Sequence, residues 1–340
     1  MKKIIVFLLL INTLFASIEV VDQLGRKVSI KDKVERIVVL QHQSLNVLVQ
    51  LDATSKIVGI LSSYEESLGK NYARLFPAIK DLPTPGDLKS VNLESLLALK
   101  PDLLIVTNYM DKEVIDKVSK LGIPVIAMSF YKNASSKINP EFKDFQNQVL
   151  AYDEGLYEGI ALLGKICQKE ENAKELINFI KNSQKILKEK VAKIDKNKVR
   201  LYVANPDFHT YGAGKYVNVM FSRAGGENVC EKEFKGFKQI SPETLIYLNP
   251  SMIFVQHRYP NVIDELKSNK LISNLLAIKD NKIFYMPEYA KAWGYATPEA
   301  MAIGEFWVAK TLYPEYFKDF DLDSLVQTYY QKFYRTSYQK

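Results

Sequence analysis

Asn92-Leu-Glu-Ser-Leu-Leu-Ala-Leu-Lys-Pro-Asp-Leu-Leu-Ile105 is the stretch that decides the fold. Its first half reads as a helix from about Asn92 to Leu99. Its second half opens the run Leu103-Leu-Ile-Val-Thr107, which is apolar on both faces, as a strand inside a parallel sheet must be. The alternation continues downstream with a helix at 112–121 and the strand Val125-Ile-Ala-Met128, Gly122 and Pro124 marking the boundary between them. Upstream it runs through Arg36-Ile-Val-Val-Leu40, a helix at 44–51 and Ile57-Val-Gly-Ile60. Parallel strands joined by helical crossovers follow, and the class is α/β.

Residues 171–194 contain neither Gly nor Pro and carry apolar side chains at Ala173, Leu176, Ile177, Ile180, Ile186, Leu187 and Val191. At 1.5 Å per residue such a helix spans roughly 35 Å. It ends in Asp195-Lys-Asn-Lys198, after which strands return at Val199-Arg-Leu-Tyr-Val203, Met252-Ile-Phe-Val255 and Lys282-Ile-Phe-Tyr285. The expected architecture is two doubly wound, Rossmann-like lobes joined by one long α-helix, with a ligand cleft between them. Residues 17–170 form the first lobe, 171–195 the interlobe helix and 196–340 the second lobe. A continuous hydrogen-bonded rod between lobes predicts limited hinge motion.

Met1-Lys2-Lys3 followed by the apolar run from Ile4 to Ile11 and the small pair Ala16-Ser17 reads as a signal peptide over residues 1–16. The run is far shorter than the roughly 20 residues of a membrane-spanning helix. No cysteine stands near Ala16, so a free periplasmic protein is expected rather than a lipoprotein. The 340 residues suit about two domains, and 47% hydrophobic with 25% charged residues is ordinary globular composition. The net charge of +7 is diffuse, which argues against nucleic-acid binding and weakly favours an anionic ligand. Cys167 and Cys230 either pair in an oxidising compartment or stay as two buried thiols.

In open α/β sheets the ligand lies against loops leaving the carboxyl ends of the strands. Those loops hold all three histidines of the chain, His42, His209 and His257. A single loop histidine is usually solvated or capping, but the three together suggest contact with a ligand or its metal, since imidazole suits nickel, copper, zinc and iron. Arg258, between His257 and Tyr259, offers a planar fork for an anionic oxygen. Tyr64, Tyr109, Tyr289, Trp293 and Tyr295 are candidate aromatic walls, although a chain with 20 tyrosines spends many on packing. Glu94 and Glu243 each open a short helix before a strand, where a carboxylate complements the helix dipole.

Val21-Asp-Gln-Leu-Gly-Arg26, Val34-Glu-Arg-Ile-Val38, the 92–105 stretch, Tyr211-Gly-Ala-Gly214, Ala224-Gly-Gly-Glu-Asn228, Ile240-Ser-Pro-Glu-Thr-Leu245 with Asn249-Pro250, the run Leu275 to Tyr285, and Thr297-Pro298 occur in a specific order. In that order the chain resembles the periplasmic substrate-binding proteins of ferric siderophore, haem and cobalamin ABC importers, whose lobes share a single-helix hinge. The resemblance implies a monomeric, non-enzymatic receptor that needs no cofactor. It would capture a metal chelate, an Fe(III) siderophore or a Ni(II) or cobalt complex, with haem or cobalamin as alternatives. It also implies that Glu94 and Glu243 dock on an inner-membrane permease, and that Tyr64 and Trp293 lie in ligand-contacting loops. Direct capture of a bare Zn or Mn ion by the three histidines plus a carboxylate is the second reading. No Gly-x-Ser-x-Gly, phosphate loop or His-Glu-x-x-His occurs, so turnover is not expected. Two departures stand out: the segment 131–150 reads as an insertion at the cleft rim, and the cleft loops lack the several arginines of a triscatecholate receptor.

Overall fold

The computed structural model describes residues 17–134, 137 and 140–339. The expected signal peptide and four positions of the 131–150 segment lie outside them. In the first sheet, β1 (Ile37–Val39), β2 (Ile57–Ile60), β3 (Leu103–Thr107) and β4 (Val125–Met128) run parallel in the order β2-β1-β3-β4. In the second, β5 (Val199–Ala204), β6 (Gly226–Asn228), β7 (Met252–Val255) and β8 (Ile283–Tyr285) run parallel in the order β6-β5-β7-β8. All five residues of β3 are buried, as the apolar run demanded.

Helix α1 (His42–Gln50) follows β1. Two short helices, α2 (Leu93–Ala98) and, in the second half, Pro242–Leu248, precede β3 and β7; Asn92 Oδ1 accepts from Ser95 N–H at 3.0 Å and Ser241 Oγ from Thr244 N–H at 3.1 Å. These are side-chain caps of the kind their sequences announce. Glu94 and Glu243 stand in the first turns, exposed, as read.

The interlobe region holds two long helices, α3 (Phe145–Cys167) and α4 (Glu170–Val191), which pack side by side. Gln168, in left-handed conformation at φ 56°, turns the chain between them. α4 buries Ala173, Leu176, Ile180 and Leu187, the stripe read from the sequence, while Ile186 is exposed. The cleft-rim segment becomes helical from Phe145. Its helix lies so close to Phe130–Lys132 that a Cβ on Gly155 would sit 2.2 Å from Tyr131 Cα.

Strand periodicity divides the core. Leu201, Val203 and Phe254 face the main core, which continues through the first half of the chain, whereas Tyr202, Ala204, Ile253 and Val255 face a second cluster on the opposite side of the sheet. Cys167 sits in the first and Cys230 in the second, and both are free thiols. The pairing alternative is thereby corrected: two cysteines buried in separate cores have no route to a bond. Burial pushes both thiols up to about 12. After β8 the chain returns to the first half. The turn Ala300–Gly304 packs on α4, the turn Tyr330–Tyr334 packs on α1, and Arg335 donates to the Val49 and Gln50 carbonyls.

Candidate functional site

The carboxyl ends of the two sheets face a common cleft. β1 delivers Leu40 and Gln41 to the start of α1, where His42 is the first helical residue. β7 delivers Gln256, His257 and Arg258. The loop after β8 delivers Lys291 and Trp293.

These residues gather on the indole of Trp293, which is 3% exposed. The His42 ring meets it edge-on at 5.5 Å between centroids. The Arg258 guanidinium carbon lies 5.2 Å and the Lys291 ammonium 5.0 Å from the ring centre. Arg258 also lies 4.9 Å from the Tyr259 ring and forms no ion pair among the described residues. His42 Nδ1, Arg258 Nε and Trp293 Nε1 are shielded from water and lack a hydrogen-bond partner. Unpaired buried donors are costly and rare in a folded protein. Three such groups around one indole make this the candidate site.

The electrostatics point the same way. Burial, then the charges of Arg258 and Lys291, hold His42 down to about 3, against a weaker upward pull from Asp87. Burial, then Lys291 and Arg258, do the same to His257. Both imidazoles are therefore neutral at physiological pH, beside the Arg258 guanidinium and the Lys291–Glu299 ion pair. α1 begins here as well, with no side-chain cap on its first-turn amides, and such an uncapped helix N-terminus favours an anion.

A polar network lies beneath. Lys291 pairs with Glu299, and both are buried. Glu299 accepts from Asn46 Nδ2 at 2.9 and 3.1 Å and from Gln50 Nε2 at 3.0 Å. Asn46 Oδ1 in turn accepts from Tyr72 and Tyr334 hydroxyls at 3.0 and 2.9 Å. His42, Asn46 and Gln50 are spaced four apart, so one face of this buried helix touches first Trp293 and then Glu299.

His257 reaches from the second sheet to the first half of the chain. Its Nε2 faces Gly69, at φ 99°, where an added Cβ would approach to 3.0 Å. A groove of about 1570 Å³ opens beside it, lined by His257, Arg258, Tyr259, Tyr72, Glu65 and Glu288 among others.

The remaining expected residues divide. Tyr295 stacks on Tyr131 at 6.1 Å and carries Lys215 at 4.9 Å from its centre. Tyr109 is flanked by Lys89 at 6.0 Å, and burial with Asp87 nearby pushes its hydroxyl up to about 12. Tyr64 is not among the groups around Trp293; its hydroxyl donates to Glu65 at 3.2 Å. Tyr289 packs on Tyr338.

His209 also stands apart, stacked on Phe237 at 5.4 Å with Nδ1 3.1 Å from the Pro206 carbonyl. The three histidines thus do not form the expected metal site. No group of three His, Cys, Asp or Glu side chains able to hold a metal occurs among the described residues. His209 is held on a separate two-stranded antiparallel pairing, His209–Tyr211 against Phe237–Gln239. Lys291 and Glu299 were not singled out by sequence. The signal that would have found Glu299 is the polar spacing 42, 46, 50 on a buried helix, which demands polar partners across from it.

A model of the periplasmic binding protein family matches residues 37–290. The chain is 47% identical over 345 residues to the molybdate-binding protein MolA of Haemophilus influenzae, covering 99% of this chain and 97% of that one. It is 24% identical over 260 residues to an Fe(3+)-citrate-binding protein of Bacillus subtilis, covering 76% and 75%. The structure of H. influenzae MolA bound to molybdate superimposes with a TM-score of 0.91 at 48% identity, covering 94% of this chain and 99% of that one. A solute-binding protein of Veillonella parvula gives 0.76 at 23% identity, covering 95% and 94%. The chain belongs to the periplasmic binding protein family, as a solute-binding protein of an ABC importer and not an enzyme.

Proposed function

We propose that this periplasmic binding protein captures a dianionic oxyanion of the molybdate type on Arg258, Trp293 and His42 and hands it to a membrane permease. The observation that carries the reading is the group of shielded, unpartnered nitrogens around Trp293. Arg258 Nε and Trp293 Nε1 can only donate, and neutral His42 can place its proton on Nδ1. A fully deprotonated oxyanion supplies the acceptors that these donors lack, and Arg258, Lys291 and the start of α1 supply opposing charge. The molybdate-binding relative, alike over nearly the whole chain, supports the same class.

This departs from the metal chelate that the family resemblance favoured. The chelate reading retains one observation, the groove of about 1570 Å³ beside Arg258, which far exceeds the needs of a bare oxyanion. Quenching of Trp293 fluorescence in a W307F background separates the two. Saturation by molybdate and tungstate with no response to ferric siderophores, haem, cobalamin or nickel-histidine supports the oxyanion, and the reverse order defeats it.

Residues 17–170 and 196–340 serve as the lobes in this reading, with 171–195 as the rigid connection. Glu94 and Glu243 present one exposed carboxylate from each lobe to the permease. The protein acts as a monomer, delivered to the periplasm by residues 1–16.

A further inference from the structure

We propose that Lys291 is a second cation of the anion site and that Glu299 is its positioning residue, an inference that rests on the oxyanion reading. Lys291 and Glu299 are only 5% and 1% exposed. A buried ion pair gains little over apolar residues of equal volume, so its presence calls for a use beyond stability. Lys291 has its ammonium 5.0 Å from the same indole that Arg258 approaches at 5.2 Å, on the ring whose N–H is unpartnered. An ammonium has three donors, and its ion pair with Glu299 does not exhaust them.

Glu299 cannot drift. Asn46 and Gln50 donate to both its oxygens, and these two amides are themselves held by the Tyr72, Tyr329 and Tyr334 hydroxyls. The carboxylate therefore fixes the ammonium against α1, whose first residue is His42. Cations from two different loops, after β7 and after β8, then face one ligand, and Lys291 turns its remaining N–H donors to it while Glu299 holds it in place.

The test replaces both charges at nearly constant shape, K291M/E299Q, and titrates wild type and variant with molybdate and with perrhenate, a tetrahedral monoanion. The variant is expected to melt close to wild type, to lose about tenfold or more in molybdate affinity, and to change less than about threefold for perrhenate. A double variant that binds molybdate like wild type overturns the proposal, as does equal loss of both anions, because a purely structural pair does not read ligand charge. If that variant does not fold, K291R decides. With the charge retained it keeps the preference for molybdate over perrhenate, and loss of that preference overturns the proposal. Absence of molybdate binding by the wild type removes instead the reading on which the proposal rests.

Discussion

Arg258 lies with its guanidinium carbon 5.2 Å from the ring centre of Trp293, and neither its Nε nor the indole Nε1 has a partner. On the proposed reading, one bound oxyanion would satisfy both donors. Arg258→Lys substitutes a point charge for a fixed fork and should cost about 1.5–3 kcal/mol of molybdate binding, one to two powers of ten. Trp293→Phe keeps most of the ring surface but removes the N–H, and a smaller loss is expected. Calorimetric titration checks both, and unchanged affinity in R258K would remove Arg258 from the site.

The two depressed histidines fix a pH dependence. His42 and His257 sit near 3 in the folded protein, against about 6.5 in an unfolded chain. Between those values the unfolded state binds more protons, so stability of the ligand-free protein rises with pH across the window and is lost on acidification. Glu305 opposes this: burial lifts its carboxyl to about 7, and its contribution falls as pH rises from the ordinary carboxylate range. The H42Q/H257Q variant isolates the histidines. The melting temperature of wild type minus that of the variant should grow from about pH 4 to about pH 6.5, and parallel curves would contradict the assignment.

Glu94 and Glu243 make a prediction about transport rather than binding. Replacing both with alanine should leave oxyanion affinity unchanged and stop uptake by cells carrying the importer. Uptake at the wild-type rate would show that the permease reads another surface.

Gly155 tests the packing of the long helix on the cleft wall. A methyl group there meets the Tyr131 backbone at 2.2 Å, where no flexible side-chain end can yield. Gly155→Ala should destabilise by roughly 1–3 kcal/mol and lower the melting temperature, and an unchanged melt would mean that the 130–132 segment moves aside freely.

The fold was legible because each of its signals is local. Strands such as Leu103–Thr107, caps such as Asn92 and Ser241, and the apolar stripe of the 170–191 helix are each written in a few consecutive residues. Of the candidate site, Arg258, Trp293 and His42 could be named from sequence as proposals, because strand-end loops are countable. Lys291 and Glu299 were not, since the place of their ion pair depends on the Asn46 amide of α1 meeting Glu299, 253 positions away. The ligand class was not legible at all, because it is set by the geometry of strand-end loops, which no short stretch of sequence encodes.

The most direct measurement is anomalous scattering at the molybdenum edge from crystals of the protein grown with sodium molybdate. The account predicts one strong peak within the Arg258, Trp293 and His42 group, with Lys291 facing it. A peak beside His209, or in the groove by Glu65 and Glu288 with the Trp293 group left empty, would contradict it.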